Sequence, residues 1–445
     1  MSNDNLRLNH IRTEVLSHTG SIAKTLGTPS PWAVLLVKFS DDPESNPDTA
    51  IYERLFTDSG SGSNNMPEFF ADMSHGRLNL ARSKVFGWYT LAVKRSAYVG
   101  NLSPVPAGKI DRGGLAAAAR AVATANGVNL ADFSGVVVSA YGATDLCGWV
   151  GGMTALCDQN SLQPSLLGQE MGHGYGLDHA RLNGSPADYQ DPWDVMSTAA
   201  WPAYEQPDPD YTRIGPGLNA WCMRSRGWLD EARVWSGSAG VDAVITLRPL
   251  HRPEFAGYLA AQLGQYLVEL RVPEQWDSSI GDACVLVHRF EDNHSYLMPA
   301  KDGSQSLTTG DVFESGSPEF TYSDYQRVEV ISIDAHNHSA QIRLVMRSAR
   351  QVPQTVGTIF GAVDVDGGGY LILPSGKVVK IPPRGPVTEM VTLVARLAES
   401  EITGDVALAL ASRKAILSSI IDSAARLSDE TELISSPPPQ AREQR

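Results

Sequence analysis

Residues 168–180 read GQEMGHGYGLDHA, and no other stretch of the 445-residue chain restricts the fold as tightly. Gln169 and His173 stand four positions apart, so a helix sets them about 40° apart on one face, where both side chains reach a common point. Glu170 lies directly beside them. Gly176 supplies the left-handed backbone that stops a helix, and His179 follows three residues later. The block therefore predicts a helix over 161–175 and a glycine stop, with Gln169, Glu170 and His173 on the helix and His179 beyond it. With 10 His and 40 Gly, composition alone gives roughly 0.02 expected occurrences of His-x-x-Gly-x-x-His, so chance is a poor account.

Downstream, DPWDVMS at 191–197 places Met196 in a short turn. Together the two blocks resemble the H-E-x-x-H-x-x-G-x-x-H helix and Met-turn of metzincin-type metallopeptidases, and the chain is most similar to the bacterial immune inhibitor A-like branch. FFADMSHGRLNL at 69–80, VFGWYT at 85–90 and GPGLNAWCMRSRGW at 215–228 carry the rest of the likeness. It spans 31–230, is loose over the β-rich region that follows, and does not extend to 350–445. The resemblance implies a zinc-dependent endopeptidase with a Zn2+ cofactor held by His173, His179 and the residue at 169. It makes Glu170 the general base that takes a proton from a metal-activated water and passes it to the leaving amine. Gly176 and Met196 would be structural, the latter as the floor of the metal site. The partner would be a protein or peptide substrate laid along an edge strand, for which residues 148–153 are the candidate. Tyr189 and Tyr204 lie close by in sequence and read as packing residues.

The chain departs from the motif at its first metal position, where Gln169 replaces histidine. A glutamine amide offers one neutral carbonyl oxygen, and its nitrogen has no lone pair to give. Loss of an outer-shell partner costs about 10–100-fold in metal affinity, and a change of direct ligand is expected to cost more, making Gln169 a weak or absent ligand. Two other readings follow. The chain is a catalytically silent pseudopeptidase that binds polypeptide, or a surface adhesin or toxin component whose function resides in its C-terminal parts.

Composition excludes several classes. With 36 basic and 50 acidic residues, net -14, the chain is not built to bind nucleic acid. No apolar run approaches the roughly eighteen residues of a membrane span. The amino terminus lacks the apolar core of a Sec signal peptide, which leaves the cytoplasm or export by a non-Sec route. Four cysteines are too few for a disulfide scaffold. Cys147 and Cys157 are either a disulfide or free thiols, and Cys222 and Cys284 read as core residues.

The expected fold class is α+β. Residues 1–30 form a leader, 31–233 a metzincin-like catalytic domain of mixed sheet and helices, and 240–348 an all-β, sandwich-like domain. A hairpin plus helices follow at 355–434, then a disordered tail at 435–445. Within the first part the pattern predicts a buried strand at 31–40, a helix ending at 66–73, a strand pair over 77–91, a helix at 111–126, a strand at 134–139 and a helix at 217–229. His288 with His294, and His336 with His338, read as exposed strand residues. Asp364-Val-Asp366-Gly reads as a hairpin turn, since Ser375 occupies the position where a calcium loop wants glutamate.

Overall fold

The computed structural model describes residues 27–100, 110–198, 203–316 and 324–347, together with the backbone of three strands between 360 and 381. The chain divides into two compact units, the second starting at Arg350. The class is α+β, with several sheets and few helices.

A five-stranded sheet organises the first part, formed by β1 (Trp32–Lys38), β2 (Lys84–Thr90), β3 (Gly135–Ala140), β4 (Cys147–Trp149) and β5 (Thr154–Asp158). Their order is β2-β1-β3-β5-β4, parallel except for β4, which closes one edge antiparallel to β5. All seven residues of β1 are buried, which accounts for its unbroken apolar sequence. The helices are α1 (Ala50–Phe56), α2 (Met66–Met73), α3 (Arg112–Ala125), α4 (Pro164–Gly174) and α5 (Ala220–Ser225). Strand alternation sorts them between the two faces of the sheet. Ala33, Leu35 and Val37 pack on α3 through Leu115 and Ala119. Val34 and Leu36 face the core formed with Leu55 of α1, Phe69 and Phe70 of α2, and Leu167 and Met171 of α4.

Several elements differ from the sequence pattern for local reasons. The 77–91 segment is not a strand pair: Leu78–Asn79 pairs with Thr28–Pro29, and β2 joins β1. Arg82, at φ 74, turns the chain between these two partners. Residues 66–73 are a whole helix, opened by a capping box of Asn65 and Glu68. The helix at 161–175 starts late, at Pro164, whose missing N–H suits a first turn. The helix at 217–229 contracts to α5, capped by Asn219 on the Cys222 N–H.

Beyond residue 233 lie two further sheets. Six strands run in the order Val234–Gly237, Ala260–Leu263, Tyr266–Arg271, Cys284–Glu291, His294–Leu297 and Arg181–Leu182. Asp242–Leu247, Ser339–Arg347, Tyr325–Asp334 and Val312–Ser315 form a four-stranded sheet. Val268 and Leu270 of the first meet Val328 and Ile342 of the second, giving the sandwich. Ala260 and Leu267, on the other face of the six-stranded sheet, join the core of α2 and α4.

Charged side chains are enclosed at this contact. Arg271, 1% exposed, donates to Glu269 at 3.2 Å and to both oxygens of Asp277 at 2.8 and 2.5 Å. His288 was expected at an exposed strand position but is fully buried, because its Nε2 meets Asp191 at 2.8 Å. His294 is also partly buried, its Nδ1 on the His179 carbonyl, and His338 meets Glu274 at 2.7 Å, whereas His336 is exposed. All four cysteines are buried free thiols. Cys147 pairs in register with Leu156, so Cys157 points to the opposite face of the sheet and no bridge forms.

In the second unit, Phe360–Val363, Gly369–Ile372 and Val378–Ile381 form an antiparallel sheet in that order. The leader before residue 27, the 364–366 turn, the helices after 386 and the tail lie outside the described residues. Among the described residues, no helix is long and apolar enough to cross a membrane.

Arg271→Met would strand Glu269 and Asp277 without their cation in the interior. Chemical denaturation at pH 7 should show a loss of about 3–5 kcal/mol, whereas Arg343→Met, which breaks an exposed pair with Asp242, should cost less than about 1 kcal/mol.

Candidate functional site

Close approach to its neighbours fixes α4. A methyl group on Gly172 would meet Met196 Sδ at 2.8 Å, and one on Gly148 of β4 would meet the Glu170 carbonyl oxygen at 2.2 Å. Glycine at these two positions lets the helix lie directly on the edge strand and on the turn that carries Met196. Gln169, Glu170 and His173 are consequently buried, at 1%, 4% and 4% exposure.

The helix stops as its glycine predicts. Leu177 N–H reaches the Gly172 carbonyl at 3.1 Å, Gly176 N–H reaches the His173 carbonyl at 2.8 Å, and Gly176 adopts φ 93. This turn carries the Leu177 carbonyl under the first ring, where it accepts the His173 Nδ1–H at 2.8 Å. The chain then returns with His179. Its Nδ1 donates to Asp188 at 3.1 Å, and Asp188 also accepts from Arg181 Nε at 2.7 Å. Ala180 N–H meets the Met196 carbonyl at 3.3 Å, and Arg181–Leu182 extends the six-stranded sheet beside Tyr296 and Leu297. The two imidazoles end edge-on, with centroids 4.7 Å apart. Tyr189, at φ 62, lays its ring 4.2 Å from His179.

With Nδ1 of each ring committed to an acceptor, Nε2 is the nitrogen left for other chemistry. Burial pushes the His173 value down, favouring the neutral ring whose Nε2 carries a lone pair. Burial also raises Glu170 to about 7, against the opposing pull of the Gln169 amide, Arg112 and the Gly148 N–H. Gln169 turns its amide nitrogen to Glu170 Oε1 at 3.1 Å. Among the described residues, no group of three His, Cys, Asp or Glu side chains is arranged to hold a metal.

His173 and His179 are thus brought together and Gln169 meets Glu170, with Gly176 at the helix stop and Met196 against α4. The 148–153 segment divides into strand β4 and a turn whose Gly151 and Met153 N–H groups meet the His173 and Gly174 carbonyls at 2.8 and 3.2 Å. Tyr204 packs on Trp193, with centroids 5.1 Å apart. Sequence reasoning missed Asp188, the Leu177 carbonyl and the Gly148 N–H. No motif marks Asp188, and the other two are backbone groups that any residue supplies.

No protein-family model matches the chain, and no curated protein matches it in sequence. Among solved structures it is similar to wild-type OgpA from Akkermansia muciniphila in two crystal forms, at 12% and 11% identity. These likenesses cover 74% and 73% of this chain and 96% and 95% of that chain, each with a TM-score of 0.29. That score is too low to carry an argument about chemistry, which rests on the geometry above.

The raised Glu170 value makes the folded chain hold this proton more tightly than the unfolded chain does. The resulting stability is complete below the unfolded value near 4.5 and is lost as pH rises through about 7. Glu170→Gln stays uncharged, so it should flatten the pH dependence of the unfolding free energy across that window. The difference from the parent should be no more than about 3 kcal/mol, read from denaturant midpoints at pH 4.5, 6 and 8.

Proposed function

We propose that the chain is a peptide-bond hydrolase of the metallopeptidase type, with a metal site of two imidazoles and one amide. One observation carries this reading: the His173 and His179 rings converge to 4.7 Å, with both Nδ1 atoms anchored, beside a buried carboxyl titrating at about 7. Anchored imidazoles of this kind fit a zinc ion in two of the three protein positions that a catalytic site uses, and Gln169 would contribute its carbonyl oxygen at the third. A zinc ion bound there would supply Lewis acidity and make water more acidic.

The chain's own residues account for the rest. Glu170 accepts a proton from the attacking water and returns it to the leaving nitrogen, and a value near 7 suits both transfers. The Leu177 carbonyl and Asp188 hold the rings in one orientation each. Met196, packed against Gly172, fixes how deeply the helix sits. The substrate is a protein or peptide, lying extended beside β4 at the end of the sheet.

A second reading, a silent polypeptide-binding module, is favoured by the Gln169 contact to Glu170, which engages the amide with the carboxyl. Zinc titration and a proteolysis assay on a denatured protein separate the two. The enzyme reading expects zinc retained at micromolar supply and cleavage abolished both by chelator and by Glu170→Ala. It also expects Gln169→His to raise zinc affinity by at least about 10-fold. If the parent neither holds zinc nor cleaves while Gln169→His does both, the module reading stands.

A further inference from the structure

Beside the helix stop is a cavity of about 1030 Å³ between the end of α2, residues 226–233 and the loop at 251–254. Gln169, Glu170, His173 and His179 are not in its wall. It adjoins the same turn from a different side, since Arg226 in the wall donates to the Tyr175 carbonyl at 3.2 Å.

The wall combines charge with apolar surface. Arg77, Arg226 and Arg233 line it, and the half-buried Ala71, Leu78 and Pro253 supply apolar surface. Arg226 has no ion pair among the described residues, bonding only the Tyr175 carbonyl and Ser225 Oγ. Arg77 donates to the Gly227 carbonyl at 2.9 Å and lies 4.0 Å from Asp230, an open pair with both partners exposed. Arg233 gives its protons to the carbonyls of Pro253, Phe255 and Gly257, so its charge faces no bonded carboxylate.

Three carboxylates share the wall, but each has other work. Glu254 pairs with Arg252, Asp72 accepts the Trp276 indole N–H at 2.8 Å, and Asp230 caps the 231–233 turn. His75 spends its Nε2 on the Leu250 carbonyl at 2.9 Å, and His251 turns both ring nitrogens to acceptors. The groups left to recognise a ligand are therefore guanidinium N–H donors over an apolar floor. Guanidinium forks match planar oxyanions, and the volume suits a small organic molecule.

We infer that this cavity binds a small organic anion, a carboxylate or phosphate carried on an apolar body, with the anion on Arg226 and Arg77 and the body against Leu78 and Pro253. The inference does not depend on the hydrolase reading, because its readout is binding.

Titrate the full chain with 8-anilinonaphthalene-1-sulfonate, following fluorescence and calorimetric stoichiometry. One site per chain is expected, weakened at least about tenfold in Arg226→Met and in Arg77→Met and unchanged in Arg54→Met, whose residue is outside the cavity. The neutral N-phenyl-1-naphthylamine should bind parent and variants alike. Thr28→Trp, a substitution at an exposed residue of the wall, should block the site even if an arginine variant fails to fold. Competition by benzoate and by phenyl phosphate decides which oxyanion the site prefers. Absence of a saturable single site, or equal affinity in the parent, the folded arginine variants and Thr28→Trp, overturns the inference.

Discussion

The enclosure of Arg271 between Glu269 and Asp277 sets the arrangement of everything around it. A buried guanidinium requires its carboxylates, and these carboxylates have further lone pairs to satisfy. Glu269 takes the Ala220 N–H at 2.6 Å and Asp277 takes the Gly217 N–H at 3.0 Å. Asp194 does the same for Met196 and Asn219, each at 2.7 Å. Segments 191–197 and 217–220 have little regular structure, so these acids provide hydrogen bonds that a helix or ladder would otherwise give. The position of Met196 is therefore set largely by buried carboxylates. Replacing such a network with apolar residues can match its stability, but it would leave those backbone donors without acceptors.

The two imidazoles depend on a second constraint, the stop at Gly176. A residue with a side chain there would meet Arg226 Nη1 at 2.5 Å and would oppose φ 93. A helix running one turn further would carry the Leu177 carbonyl away from His173, freeing that ring to rotate. The ring of His179 would lose its place as well, since the returning strand at 181–182 begins only because the chain reverses. Asn293 Nδ2 meets the Gly176 carbonyl at 2.9 Å and His294 meets the His179 carbonyl at 2.9 Å, so the sandwich holds this reversal from outside. The β region thereby belongs to the construction of the site.

What the sequence made legible was local. Helix spacing placed Gln169 and His173 on one face, a glycine marked the stop, and the apolar run within 31–40 announced a buried strand. What stayed hidden was long-range. Nothing near His288 in sequence points to Asp191, 97 positions away, and its alternation looked like that of an exposed residue. The register that sends Cys147 and Cys157 to opposite faces depends on a turn at 150–153 whose geometry the four residues do not declare. Asp188 has no motif because its work, orienting His179, can be done by an acceptor from any segment that reaches the ring.

The residue at position 169 acts directly on Glu170. An amide nitrogen can only donate, and here it donates to Glu170, favouring the ionised carboxylate. Burial acts the other way and is the larger effect, so the carboxyl titrates at about 7 rather than higher. A neutral imidazole at 169 holding a metal through one nitrogen would have only its other nitrogen to offer, directed away from the ion. Glu170 would then lose this donor and gain the field of a firmly bound cation. Gln169 thus gives the buried carboxyl a direct hydrogen-bond donor. The result is a carboxyl that changes charge close to neutral pH beside two oriented rings.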